Sequence, residues 1–121
     1  MNIKLIKEKF SICKVEDVSS LDFNCGYLFL AVTDDEISVI CPEDKVPSSA
    51  YATEGDWFAF KIDETLDFST VGILAKISTI LAQNNMPILA ISTYNTDYIF
   101  VKSEHTSSAV KALEDNNYRV L

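Results

Sequence analysis

Basic charge, glycine and proline are all scarce in this chain of 121 residues. Only ten basic residues, one of them an arginine, oppose 18 acidic residues, and the net charge is −8. This balance predicts no nucleic-acid partner, because neutralising phosphates requires a basic face. Three glycines and three prolines beside 48% hydrophobic residues exclude a disordered chain. The length suits one compact body or two small units that share a core.

Long apolar runs are also missing. No stretch approaches the roughly 20 residues that a membrane-spanning helix needs. The first ten residues, MNIKLIKEKF, lack the apolar segment of a signal peptide. The sequence therefore predicts a cytoplasmic protein with no membrane partner.

Side chains suited to metal binding or catalysis are few. Cys13, Cys25 and Cys41 are odd in number and include no CxxC pair, which predicts neither a disulfide framework nor a zinc site. His105 is the one histidine, and no nucleophile can be paired with it from sequence order. We therefore predict no cofactor, no metal site and no catalytic residue.

The clearest local element is a helix over residues 71–84. Its apolar side chains recur at the spacing of one helical stripe, at Ile73, Leu74, Ile77, Ile80 and Leu81. Ser69 and Thr70 are candidates to cap its start, because their hydroxyls can accept from backbone N–H groups that lack a partner. The Asn84-Asn85 pair followed by Pro87 is typical of a helix end.

Strands are predicted on both sides of this helix. Residues 57–62 place apolar side chains on one face of a strand. Residues 87–93 and 98–102 are rich in Ile, Val, Tyr and Phe, and Asn95-Thr96-Asp97 between them has turn chemistry. These two segments are predicted to form a hairpin.

A second, weaker helix follows the hairpin. It is marked by Ala109, Val110 and Leu113, ends near Asn116-Asn117, and precedes a final strand over residues 118–121. The order from residue 57 onward is therefore βαββαβ. This order predicts an α+β, ferredoxin-like fold, in which a four-stranded antiparallel sheet carries both helices on one face.

The first half echoes the second. Leu21-Asp22-Phe23 matches Leu66-Asp67-Phe68, and Thr33-Asp34 matches Thr96-Asp97. Asp22 and Asp34 are 12 positions apart whereas Asp67 and Asp97 are 30 apart, so the first copy is shorter by 18 residues. That difference is about the length of a helix with its loop. We interpret the first half as a degenerate repeat without its first helix, with chance similarity as the alternative.

The domain division follows from this repeat. The first half is predicted to be mostly β, with strands over residues 3–7, 10–15, 27–33 and 36–42. Residues 43–56 form the one linker-like stretch, polar and carrying Pro47 and Gly55. We predict a degenerate half at residues 1–50 and a complete domain at residues 51–121.

Two dense patches resemble the ACT domain, a small amino-acid-binding regulatory module. One is TDDEISVICPED at residues 33–44 followed by GDW at 55–57, and the other is LDFSTVGILAKISTILAQNNMPILAISTYNTDYIFV at 66–101. The chain is most similar to the tandem-ACT group that includes bacterial ACT-domain proteins and CASTOR-type arginine sensors. This resemblance implies an ACT fold and an allosteric regulatory role. In many ACT domains Pro-Gly stands where this chain has Val71-Gly72.

The resemblance also indicates where a ligand binds. A helix N-terminus offers free N–H groups to the carboxylate of an amino acid, and a nearby carboxylate holds its ammonium group. The predicted ligand-binding residues lie in the loop before the first helix and in the hairpin, namely Asp67, Ser69, Thr70, Val71, Gly72, Ser92, Thr93, Tyr94, Asn95 and Asp97. The simpler alternative is that these polar side chains only cap the helix and form turns. If Asp67 or Asp97 pairs with a cationic side chain, the ligand is lysine or arginine.

The sequence leaves two main classes of function open. The first is an amino-acid sensor without catalysis of its own, which forms a homodimer and acts on an unidentified regulated protein. The second is a ligand-free dimerisation or protein-interaction module on an ACT-like scaffold. A small enzyme is a third class, which lacks an obvious catalytic base.

Overall fold

The computed structural model describes residues 1–121 and contains seven strands and two α-helices. In chain order these are β1 (Asn2–Val15), β2 (Phe29–Val32), β3 (Ile37–Pro42), β4 (Ala50–Ile62), α1 (Ile73–Gln83), β5 (Ile88–Ser92), β6 (Asp97–Lys102), α2 (Thr106–Asp115) and β7 (Arg119–Val120). Short 3-10 turns at Glu43–Lys45 and Ser103–His105 follow β3 and β6.

The chain divides into two compact units that are not its sequence halves. The large unit combines Met1–Lys7 with Phe58–Leu121, and the small unit is Glu8–Trp57. The strands β1 and β4 each contribute residues to both units. The interpretation of residues 1–50 and 51–121 as two ACT-like repeats concerns ancestry, and it stays a prediction.

The large unit has the predicted ferredoxin-like fold. Its strands lie in the order β5, β6, β4, β1, β7, and β5 pairs antiparallel with β6. Both helices pack on one face of this sheet. The core that they form with the strands includes Phe60, Ile62, Ile99, Ile77, Leu81, Ala109 and Leu113. The α+β class, the βαββαβ order and the single helical face are confirmed.

The last strand is paired in parallel, whereas the sheet was predicted to be antiparallel. Arg119–Val120 pairs in parallel with the start of β1, and Asn2–Lys7 of β1 takes the place beside β4. The Arg119 N–H donates to the Met1 carbonyl at 3.1 Å, and the Asp63 N–H donates to the Asn2 carbonyl at 3.0 Å. The place beside β4 goes to β1 because β1 is 14 residues long and buries Ile3 in the core, whereas the two-residue strand β7 offers few ladder hydrogen bonds.

The small unit is a sheet without an α-helix, in the strand order β2, β3, β1, β4. Its core is formed by Cys13, Val15, Leu21, Val39 and Cys41, with Cys25 and Leu28 packed against it. The three cysteines are free thiols.

Two boundaries predicted for the first half are wrong. Residues 3–7 and 10–15 belong to the single strand β1, and the expected linker contains the first part of β4. The polar run from Tyr51 to Asp56 resembles a linker because these side chains are mostly exposed. Its backbone nevertheless lies in the sheet, where the Lys9 ammonium contacts the Asp56 carboxylate at 3.2 Å.

Both helices end in the same asparagine motif, as their Asn-Asn pairs predict. Asn85 adopts a left-handed φ of 59°, its N–H donates to the Ala82 carbonyl, and the Met86 N–H donates to the Leu81 carbonyl. Asn117 repeats this geometry with a φ of 70°. These bonds satisfy carbonyls of the last helical turn that have no partner within the helix.

Candidate functional site

A cavity of about 290 Å³ lies in the large unit, between the β4–α1 loop and the β5–β6 hairpin. Seven of the ten predicted ligand-binding residues line it, namely Asp67, Thr70, Gly72, Ser92, Thr93, Tyr94 and Asp97. Ser69, Val71 and Asn95 do not line it. We call this space the site cavity. Its volume is at the lower end of the range for small-molecule sites.

The β4–α1 loop is organised by Asp67. Its Oδ1 accepts hydrogen bonds from the Ser69 backbone N–H at 2.8 Å and from the Ser69 hydroxyl at 2.7 Å. The Thr70 N–H donates to the Asp67 carbonyl at 2.9 Å and closes the turn. The two bonds from Ser69, first the backbone one, hold the pKa of Asp67 below its ordinary value. Asp67 is therefore a carboxylate at neutral pH.

Helix α1 begins without a side-chain cap, so the predicted capping role of Ser69 and Thr70 is wrong. Gly72 is the N-cap residue, and its left-handed φ of 83° turns the chain into the helix. The Ser69 hydroxyl is instead bound to Asp67.

Because α1 begins without a side-chain cap, backbone N–H groups of its first turn remain available at the site cavity. The first intrahelical bond runs from the Lys76 N–H to the Gly72 carbonyl, so the N–H groups of Ile73, Leu74 and Ala75 have no helical acceptor. All three residues line the cavity, and no acidic side chain lies in the first turn. The N-terminal end of α1 is therefore open to an anionic group.

The hairpin is fixed by Thr93 and Thr96, of which Thr96 was missed as a site residue at the sequence level. The Thr93 N–H donates to the Thr96 carbonyl at 2.8 Å, and the Thr96 hydroxyl donates to the Ile62 carbonyl at 2.8 Å. The Leu66 N–H donates to the Asn95 carbonyl at 2.7 Å. These bonds join the hairpin to the β4–α1 loop. A threonine in a polar turn carries no sequence signal of such burial.

Asn95 belongs to a neighbouring space. It lines a second cavity, of about 380 Å³, together with Lys61, Asp63, Glu64 and Tyr98. Thr93 and Thr96 line both cavities. The backbone of the hairpin turn therefore lies between the two spaces.

The charged groups of the site cavity are two carboxylates. Asp97 Oδ1 accepts from the Ser92 hydroxyl at 2.6 Å, and Asp67 lies on the opposite loop. No lysine, arginine or histidine lines the cavity. The site thus combines a positive helix end with two negative side chains, a pattern that suits a ligand carrying both signs of charge.

The rim of the site cavity is apolar. The rings of Phe68 and Tyr94, one from each loop, meet edge to face with centroids 5.0 Å apart. Phe68 is 75% exposed, Tyr94 80% and Val71 87%, the highest values among the large apolar side chains of the chain. We call these three residues the rim patch. Exposed apolar groups at such a position are typical of a surface that a partner covers.

Comparison with known protein families identifies the family of this chain. Residues 52–115, more than half of the chain, match the ACT domain model. The chain belongs to the ACT-domain family. ACT domains are regulatory, and this membership supports a small-molecule-binding regulatory role.

Solved structures share the fold of this ACT-domain protein. A protein from Agobacterium tumefaciens matches with a TM-score of 0.85 at 22% identity, over 99% of this chain and 91% of its own. The ligand-free regulatory subunit of aspartate kinase from Thermus thermophilus matches with a TM-score of 0.66 at 11% identity, over 93% and 95% respectively. The allosteric aspartate kinase of Clostridium acetobutylicum matches at 0.67 and 15% identity, over 93% of this chain and 33% of the enzyme.

One further comparison and a check of the helices are negative. No curated protein matches the chain. Neither helix of this ACT-domain protein has the length and apolar character needed to cross a membrane.

Proposed function

We propose that this ACT-domain protein binds a free amino acid in the site cavity and regulates another protein, with no catalysis of its own. The observation that carries the proposal is the pairing of uncapped N–H groups of α1 with two carboxylates around one small cavity. The ligand carboxylate accepts from the helix end, and Asp67 or Asp97 accepts from the ammonium group.

The charge of the cavity favours a dibasic ligand. A neutral zwitterion carries one ammonium group and would engage one of the two carboxylates. Lysine or arginine carries a second cation, which the remaining carboxylate can bind. Among amino acids of similar size, we therefore expect these two to bind most tightly.

Titration calorimetry with variants tests this assignment. Asp97→Ala removes one carboxylate, and Gly72→Val places a β-branched residue at a φ of 83°. Both should abolish the heat of lysine or arginine binding. Asp22→Ala is the matched control, because Asp22 also accepts an N–H bond, from Asn24, but lies in the small unit. Unchanged affinity in both site variants would contradict the proposed site.

The rim patch supports a homodimer, which is part of the same proposal. A second copy covering Phe68, Val71 and Tyr94 would place the ligand near the interface. Light scattering is expected to report a dimer, and Val71→Lys is expected to shift it to a monomer. A strict monomer with and without amino acids would rule the dimer out.

The rim patch also favours the second candidate function, a ligand-free dimerisation or interaction module. In that case the polar residues serve only the turns that they form. Gly72→Val and Asp97→Ala would then leave partner binding unchanged, and no amino acid would produce binding heat. The two candidates are separated by the same calorimetric experiment.

A tandem-ACT origin, of the kind known in CASTOR-type sensors, is proposed for the two halves. In the small unit Asp22 Oδ1 accepts from the Asn24 N–H, as Asp67 Oδ1 does from Ser69, and Gly26 has a left-handed φ of 95°. The turn from Thr33 to Glu36 has the hydrogen bonds of the turn from Thr93 to Thr96. These bonds align Thr33 with Thr93 and Glu36 with Thr96, a register three positions away from the match of Thr33-Asp34 with Thr96-Asp97 in the sequence. We place this regulatory role in the cytoplasm.

A further inference from the structure

One sheet face of the small unit has no helix over it. In the large unit the sheet face that carries Ile62 and Ile99 is buried under α1 and α2. In the small unit the face that carries Val39 and Cys41 is covered by residues of the β1–β2 loop. The covering side chains are Leu21, Cys25 and Leu28.

That loop leaves the outer strand β2 uncovered. Leu30 pairs with Val39 and Val32 with Ile37, so both side chains project from the face that the loop partly covers. Val32 is 62% exposed, and Leu30 is also exposed. Phe23, in the loop itself, is 67% exposed. Because the loop that carries Phe23 packs on this same sheet face, we group Phe23 with Leu30 and Val32 and call the three residues the helix-free patch.

The segment of chain that contains the helix-free patch carries only negative charge. Between Glu16 and Asp44 the chain has eight acidic residues and no basic residue. The other ten acidic residues are balanced by ten basic ones, so this segment accounts for the whole net charge of −8. Asp22 precedes Phe23, and Asp34 to Glu36 follow the end of β2. None of the eight carboxylates forms an ion pair in the chain.

We propose that the helix-free patch binds an amphipathic helix with basic flanks, supplied by another protein, in the position that α1 holds on the sheet of the large unit. The apolar stripe of this helix covers Leu30, Val32 and Phe23, and its lysines or arginines face the acidic segment. A second copy of this chain cannot supply α1 as this helix, because α1 already buries Ile77, Ile80 and Leu81 in its own core. This surface is independent of the amino-acid site.

Apolar and charged groups have separable effects on such a complex. Burial of apolar area supplies affinity, while the acidic segment raises the association rate and makes it sensitive to salt. A substitution that removes an apolar group and adds negative charge therefore distinguishes a docking surface from general attraction between opposite charges.

A synthetic peptide is the probe for the test. It has about 18 residues, or five helical turns, with leucine along one face and lysine along the other. A scrambled Leu/Lys peptide and a Leu/Glu peptide of the same length are the controls. Binding to the full chain is followed by ¹H–¹⁵N NMR. We expect the amphipathic Leu/Lys peptide to shift resonances around Phe23, Leu30 and Val32, and both controls to bind at least about tenfold more weakly.

The decisive variant is Val32→Asp. It should weaken binding of the amphipathic peptide at least about tenfold although it adds negative charge. Leu121→Asp, at an exposed apolar position of the large unit, should leave the affinity unchanged. If Val32→Asp does not fold, Val32→Thr keeps the side-chain shape and is expected to lose about threefold.

Three results would overturn the proposal. The first is that the wild-type chain does not bind the amphipathic peptide. The second is that the resonance shifts are centred outside the helix-free patch. The third is that Val32→Asp leaves the affinity unchanged or increases it. The last result would mean that the acidic segment attracts any basic peptide without a docking surface.

Discussion

At the residue scale, the site depends on backbone geometry as much as on side chains. Asp67 holds the loop, Gly72 turns the chain into α1, and Thr96 fixes the hairpin from a buried position. Gly72 and Asp67 were identified as candidates because the loop before α1 resembles the ligand-binding loop of ACT domains and leads into a helix N-terminus. Thr96 was not, because its hydrogen bond to Ile62 joins residues that are 34 positions apart.

Substitution of Gly72 should separate stability from binding. Gly72→Ala is expected to cost about 1 to 2 kcal/mol, because a Cβ fits the space but disfavours a φ of 83°. Gly26→Ala is the matched control, with a φ of 95° and equally open space. Urea denaturation should show a similar loss for both, while ligand affinity falls only in Gly72→Ala. Equal affinities would contradict the role assigned to the start of α1.

Asp67 should contribute to stability in a pH-dependent way. Its pKa is lowered in the folded chain, so its contribution is complete above the unfolded pKa of about 4 and is lost as pH falls through the folded value. NMR titration should find the Asp67 pKa below its ordinary value. Ser69→Ala removes the hydroxyl donor and should raise that pKa, although the backbone bond remains. An Asp67 pKa that does not move in Ser69→Ala would contradict this account.

The thiols of the small unit should differ in reactivity. Burial raises the pKa of the Cys41 thiol to about 12, and it also raises the pKa of Cys13. Iodoacetamide at pH 8 should therefore modify the half-buried Cys25 first, as read by peptide mass spectrometry. In urea all three should react alike. Rapid labelling of Cys41 in the folded chain would contradict its burial.

At the scale of elements, local pattern predicted α1 and the hairpin well. The helix was expected over residues 71–84 and is Ile73–Gln83, because its apolar stripe and its asparagine end are both local signals. The strand β4 was cut short in the prediction because its first residues are polar and exposed. Its place in the sheet depends on β1, which is distant in sequence, and no local pattern reports such pairing.

The asparagine helix ends give a prediction at this scale. Asn85→Ala should destabilise the protein by about 1 kcal/mol, because alanine disfavours the left-handed φ of 59° more than asparagine does. Asn85→Gly should be neutral or stabilising. The same pair of changes at Asn117 should follow the same order in thermal unfolding. If Asn85→Ala and Asn85→Gly have the same free energy of unfolding, the role of the left-handed residue at the helix end is contradicted.

At the scale of the molecule, the first strand completes the large unit. The ferredoxin-like order was visible from residue 57 onward, but the strand beside β4 comes from the other end of the chain. Sequence order alone cannot show this, because the pairing of β1 with β4 joins segments that are distant in the chain. The two compact units therefore differ from the division of the chain at residue 50.

Ile3 tests this arrangement. It is buried in the core of the large unit, so Ile3→Ala should cost about 2 to 4 kcal/mol in urea denaturation. Val32→Ala, at an exposed strand position, should cost much less. A loss below about 1 kcal/mol for Ile3→Ala would mean that the first strand is dispensable to the large unit.

The central claim is that the site cavity binds a free amino acid. The most direct measurement is a thermal-shift screen of the wild-type protein against the twenty amino acids at millimolar concentration. A ligand at 100 times its dissociation constant adds about 2.7 kcal/mol of stability. We predict a selective rise in Tm of several degrees with lysine or arginine. No rise with any amino acid would contradict the claim and leave the interaction module as the function of this fold.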